Sequence, residues 1–300
     1  MQTLRVNGYD MAYLDVGRGP PLVCVHGTLG DFRTWYAVLG PLSSKHRVIS
    51  VSLRHFFPEH WNGVGDDYRM AQHVADVIAF IEQIEPKPVD LMGHSRGGHI
   101  CFRVAQQRPD LLRKVILAEP GGDFDSTLDP AVKPGAPSAL AARILLSVNK
   151  VKEGDIEVAL ENFVDGIDGE GAWKRLAAAP KQQLRDNIYT LLGQQHEARK
   201  PFSLADMTAI KTPALLPITR RAIRSTRRVI SAAARREKVI SRIRRGSVPL
   251  TIRWATRCAT VLVFPEPAPA MTRRAVPGAA FFFRTPCSTA RRCSRLRVSR

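Results

Sequence analysis

The stretch Leu91-Met92-Gly93-His94-Ser95-Arg96-Gly97-Gly98 decides the fold. Within it, Gly93-His94-Ser95-Arg96-Gly97 matches G-x-S-x-G, the nucleophile-elbow pattern, which places a serine on a sharp turn between a strand and a helix. Pro88-Val-Asp-Leu-Met92 precedes it as a short run with strand character. Beyond it, Gly97, Ile100, Cys101, Val104 and Ala105 form one face of a helix that stops at Pro109. Lys114-Val-Ile-Leu-Ala118 then reads as another strand. On such a turn the serine Oγ projects above the sheet, and the flanking glycines let strand and helix approach where a Cβ would clash. The backbone N–H of Arg96 opens the helix, with the helix dipole behind it. Ser95 is therefore a candidate nucleophile, and the Arg96 N–H a candidate oxyanion donor.

Toward the N-terminus, Pro21-Leu-Val-Cys-Val25 is a continuous apolar run, as a fully buried parallel strand requires. It ends at His26-Gly27-Thr28-Leu29-Gly30, a glycine-rich loop whose Thr28 N–H is the second candidate donor. His26 reads as a structural histidine tethering that loop. Thr3–Asn7 and Met11–Val16 flank the Asn7-Gly8 turn signal and predict a hairpin. A helix is expected over Trp35–Leu42, a strand over Arg47–Leu53, and a helix from Met70 with Asp66 or Asp67 as its N-cap. Strands alternating with amphipathic helices imply an α/β fold with a mostly parallel sheet covered on both faces.

After about Asp125 the strand signal disappears. Ser138–Asn149, Glu153–Val164, Ala172–Ala178 and Lys181–Leu192 read as helices, which suggests a helical cap. The expected organisation is an N-terminal core (1–125), a cap (126–205), the start of a further core strand (206–216) and an anomalous tail (217–300). The net charge of +18 belongs to that tail. Residues 213–300 hold 20 Arg and one Lys against Glu237 and Glu266, leaving 24 basic and 25 acidic residues in 1–212. Asp, Asn, Gln, His and Tyr are all missing from 213–300, a composition that GC-rich codons give when read out of register. It points to a frameshift near Leu216 and to a disordered tail. The alternative is an arginine arm for polyanions, built on Arg220-Arg221, Arg227-Arg228 and Arg242–Arg245. That arm has no recognisable module for reading a specific nucleic acid.

The five cysteines have no framework spacing, and Cys24 and Cys101 read as buried free thiols. With no secretory leader or membrane-spanning run in sight, a cytoplasmic setting is expected. No His, Cys or Asp spacing suggests a metal site. His73 is expected to be structural, at the surface or partly buried, on its helix. His55 and His60 are expected in a loop at the sheet's ligand-binding edge, and His94 below the serine. His196, ending the helical segment, reaches the serine only through a rearrangement.

From Val23-Cys-Val-His-Gly-Thr28, through Leu53-Arg54 and the Ser95 turn, to Ile116-Leu-Ala-Glu-Pro120, the chain resembles the α/β-hydrolase superfamily, in its capped serine-hydrolase branch. The resemblance covers about residues 3–216. It implies a Ser–acid–His triad acting on a small substrate through an acyl-enzyme, with no metal and no organic cofactor. The family's acid and histidine usually follow later strands, yet neither Asp nor His occurs in the region after Leu216. Glu119, immediately after the strand ending at Ala118, is the candidate acid, and its other reading is an anchor for the turn before Pro120. No histidine matches the family's position. A hydrolase of a small ester or related acyl compound, an inactive protein of the same fold, and a polyanion binder acting through the tail are the functions in view.

Overall fold

The computed structural model describes residues 1–132, 139–197, 199–219, 251–254 and 257–263. Strands β1 (Gln2–Val6) and β2 (Tyr9–Val16) form a hairpin turning at Asn7 and Gly8, both at positive φ. β3 (Pro21–Val25), β4 (Arg47–Val51), β5 (Val89–His94), β6 (Leu112–Ala118) and β7 (Ala214–Thr219) are mutually parallel where they pair. Two further strands, β8 (Thr251–Trp254) and β9 (Arg257–Val263), join antiparallel beyond β7. The sheet order is β1-β2-β4-β3-β5-β6-β7-β9-β8, the mostly parallel sheet that the alternation predicts.

β3 is apolar throughout because both of its faces are covered. Val23 and Val25 pack into the main core, whereas Leu22 and Cys24 point the other way, toward Trp35. The main core is closed by helices α2 (Met70–Glu82) and α3 (Arg96–Gln107). The opposite face is closed by α1 (Tyr36–Ser43), through Val38, Leu39 and Leu42. Cys24 and Cys101 are free thiols, both buried.

Between β6 and β7 the chain is helical: α4 (Ala139–Glu153), α5 (Ile156–Asp168), α6 (Ala172–Arg175), α7 (Ala178–Asp186) and α8 (Thr190–Gln194). This block has its own apolar cluster, including Val148, Leu160, Trp173 and Leu191. The short α9 (Leu204–Thr208) is capped by Ser203, whose hydroxyl accepts from Asp206 N.

Two expectations are corrected. The expected cap of α2 is not Asp66 or Asp67: Arg69 occupies that position without a side-chain cap. Asp67 is instead drawn to Arg54 and His55, stronger partners than a backbone N–H. The helix expected over Lys181–Leu192 is broken between Asp186 and Thr190, where the Asn187 side chain serves other segments. β7 runs to Thr219, and β8 and β9 lie beyond it. The β-prone sequence Ala259-Thr-Val-Leu-Val263 pairs along β7. The arginine clusters at 220–221, 227–228 and 242–245 lie outside the described residues.

Candidate active site

Ser95 sits between β5 and α3 at φ 51°, ψ −118°, a conformation that costs an L-residue about 1–3 kcal/mol. The surrounding backbone holds it there. Its N–H donates to Ala118 O at 3.0 Å, and its carbonyl accepts from Gly121 N at 2.8 Å and His99 N at 3.2 Å. The glycines of the motif make the turn possible. A Cβ on Gly93 would lie 2.3 Å from Gly97 O, and one on Gly97 would lie 2.3 Å from the carbonyl oxygens of both Val25 and His26. Ser95 is half-buried, and among the described residues none is hydrogen-bonded to its Oγ.

The loop after β3 comes against this turn. A Cβ on Gly27 would be only 3.1 Å from Ser95 Cβ. Residues 27–30 form a tight turn closed by Gly30 N donating to Gly27 O at 3.1 Å, with Leu29 at φ 57°. The closing bond does not use the Thr28 N–H, which has no acceptor among the described residues. Arg96, as the first residue of α3, likewise has a backbone N–H with no acceptor one turn earlier. His26 tethers the loop: its Nε2 accepts from Leu53 N at 3.0 Å and its Nδ1 donates to Gly27 O at 2.8 Å. Burial lowers its pKa to about 4, so it is neutral at pH 7 and has no lone pair to spare.

The other buried histidines are equally committed. His73 is fully buried, not at the surface or partly so, because Tyr68 and Phe56 cover it and Arg96 Nη2 donates to its Nδ1 at 2.6 Å. Its Nε2 lies 3.3 Å from Arg54 O, and burial holds its pKa well below the usual range. His99 uses Nδ1 on Gly121 O and Nε2 on Arg103, and burial takes its pKa to about 4. His55 is clamped by Glu59 and Asp67 and stacked on Trp61 at 4.4 Å. His60 and His196 are exposed.

His94 differs from its expected place beneath the serine. As the last residue of β5 it clears the sheet and reaches solvent, with its Nδ1 beside Gly27. Crowding around its ring lowers its pKa, while the carboxylates of Glu119 and Asp168 act in the opposite direction. Glu119 directly follows β6, half-buried, at φ 47°. Asp125, further along the same loop, is used in a turn, accepting from Thr127 N at 2.9 Å.

The sequence reading used only the backbone of Arg96 and missed its side chain. That guanidinium is fully buried, paired with Glu197 and 5.0 Å from the centre of the Tyr68 ring. Glu197 also accepts from Arg199 at 2.8 Å. Nothing local signals this pair, because its members are 101 residues apart. Among the described residues no three His, Cys, Asp or Glu side chains gather as a metal site would require. No helix among them is long and apolar enough to cross a membrane.

Residues 20–143 match the model of the alpha/beta hydrolase fold family. The chain is similar to an uncharacterized protein of Mycobacterium tuberculosis, with 29% identity over 126 residues. That match covers 41% of this chain and spans only about a third, 35%, of the relative's length. It is also similar to the pyrrolizixenacetamide deacetylase of Xenorhabdus hominickii: 28% identity, 57% of this chain and 69% of that protein. Among solved structures, an alpha/beta hydrolase from Sphaerobacter thermophilus shares the fold at a TM-score of 0.55. Its identity is 18%, with coverage of 72% of this chain and 80% of that one.

Proposed function

We propose that Ser95 is the nucleophile of an acyl-transfer site for a small ester or related acyl compound, beneath a cap formed by α4–α8. The observation carrying this reading is the backbone of Ser95, held at φ 51° in a turn whose glycines tolerate no Cβ. Such strain persists where the surrounding structure over-determines it, and it clusters at sites that use it. In the reaction, Ser95 Oγ adds to the substrate carbonyl, its proton passing to solvent water and a solvent proton going to the departing alcohol or amine. The resulting oxyanion is met by the N–H groups of Thr28 and Arg96, and expulsion of the alcohol or amine leaves an acyl-enzyme for water to cleave. No step needs a metal or cofactor. The deacetylase name of the Xenorhabdus relative is in keeping with acyl chemistry.

The chain has one departure with a kinetic consequence. His26, His73 and His99 are spent on structural bonds, and no histidine follows His196. General-base assistance is worth about 10²–10⁴-fold. Ser95 is therefore expected to react with activated electrophiles and to turn over ordinary esters slowly. A fluorophosphonate probe tests this: the adduct should appear on Ser95 in intact-mass and peptide spectra, and vanish in Ser95→Ala. A wild-type chain that takes up no probe would favour an inactive protein of the same fold.

A further inference from the structure

The loop that presents Thr28 is fastened to the helical block by two residues that follow it. Leu29, fully buried, belongs to the apolar cluster of α4, α5 and α8, not to the core beneath the sheet. Two residues on, Asp31 is a completely buried carboxylate at the N-cap of the short 3-10 turn Phe32–Trp35. It accepts from Arg33 N at 2.8 Å, from Arg33 Nη2 at 2.7 Å and from Asn187 Nδ2 at 2.7 Å. Arg33 reaches on to Asp186 at 2.8 Å, and Gln183 reaches Thr34. Asn187 Oδ1 in turn accepts from Phe57 N at 2.7 Å, in the loop beyond β4. Asp186 ends α7 and Asn187 opens the break before α8, so one turn of the helical block grips two separate loops at the sheet's edge.

From this we infer that Asn187 and Asp31 are positioning residues for the Thr28 oxyanion donor, and that the helical block sets that donor's geometry. This rests on the proposed role of the Thr28 N–H. The physical reason is the dryness of the joint. A carboxylate with no solvent contact needs all its donors, and an amide that bonds one loop through Nδ2 and another through Oδ1 cannot shift without orphaning both. Displacing α7–α8 would carry Asp31 and Leu29 with it and turn the Thr28 N–H away from the Ser95 oxyanion. A seated cap and a formed oxyanion site are thus one state.

The test uses the full chain and two readouts. In Asn187→Ala, hydrogen exchange at Gly30 and Phe32 should accelerate about tenfold or more, since a buried bond partner is lost. Exchange in β5 should be unchanged, and fluorophosphonate labelling of Ser95 should slow by a similar factor. Asp186→Asn, which loosens the Arg33 arm and leaves the Asn187 bonds in place, should shift both readouts in the same direction by less, and it covers the case in which Asn187→Ala fails to fold. Asn187→Asp places a second carboxylate against Asp31, so its protection at Gly30 and Phe32 should return as the pH is lowered and the pair shares a proton. A simple packing role would not produce that pH profile. Unchanged exchange at residues 28–34 in both Asn187→Ala and Asp186→Asn would overturn the inference, whatever the labelling shows. Absence of labelling in the wild-type chain would instead sink the role of Ser95 and leave the exchange result standing.

Discussion

A single methyl group separates this site from a broken one. In Gly97→Ala the new carbon would meet two carbonyl oxygens of the β3 end at 2.3 Å, and rigid backbone on both sides leaves little room to relax. A loss of about 3 kcal/mol is expected from such overpacking, together with loss of Ser95 labelling. Gly40→Ala makes the contrasting case: in exposed α1 nothing beyond its chain neighbours lies within 4 Å of the added carbon, and the crowding by Pro41 offsets the helix gain, so stability should change by less than about 1 kcal/mol. Urea unfolding of both variants checks the pair. At this scale the sequence was informative wherever one backbone contact dictates one residue type, as at Gly93, Gly97 and Gly27. It was silent on direction. His94 was read as lying under the serine, because spacing places a residue on a turn without saying which way its ring leaves it.

α3 shows what sequence patterning captures in an element and what it overlooks. The apolar stripe of Ile100, Cys101, Val104 and Ala105 was legible and packs as read. A second stripe, Arg96, His99 and Arg103, is polar, yet all three residues are buried, and the two arginines pair with Glu197 and Asp206. Polar burial of this kind leaves no periodic signal, since the compensating charges Glu197 and Asp206 lie about a hundred positions away. The helical segment between β6 and β7 was similarly legible in outline. Its break at Asn187 was not, because long-range bonds decide it. Glu197→Gln should show what the buried pair is worth: leaving the Arg96 charge without its counterion typically costs about 3–5 kcal/mol. An equilibrium midpoint matching the wild type would mean that water already reaches that guanidinium.

For the molecule as a whole, the three buried histidines set its response to acid. His26 and His99 take up a proton near pH 4 when folded, and His73 is also held well below the usual range. In the unfolded chain each protonates near pH 6.5. Between those values the unfolded state binds more protons, so their contribution is fully present above about pH 6.5 and drains away as pH falls. The slope is about 1.4 kcal/mol per pH unit for each histidine fully in that window. The depressed carboxyls of Glu197 and Asp206 add to the loss at still lower pH, after their burial penalty is outweighed by Arg96 and Arg103. The urea midpoint should therefore drop clearly between pH 7.5 and pH 5, and an unchanged midpoint would contradict this account. The two core cysteines provide a way to watch the same process without denaturant. Burial pushes the thiols of Cys24 and Cys101 well up from their usual pKa, and only an ionised, reachable sulfur is alkylated. Their modification under native conditions, followed peptide by peptide, would then be a clock for opening of the core. Cys24 times the β3 strand behind the oxyanion loop, and Cys101 the helix that begins at the serine.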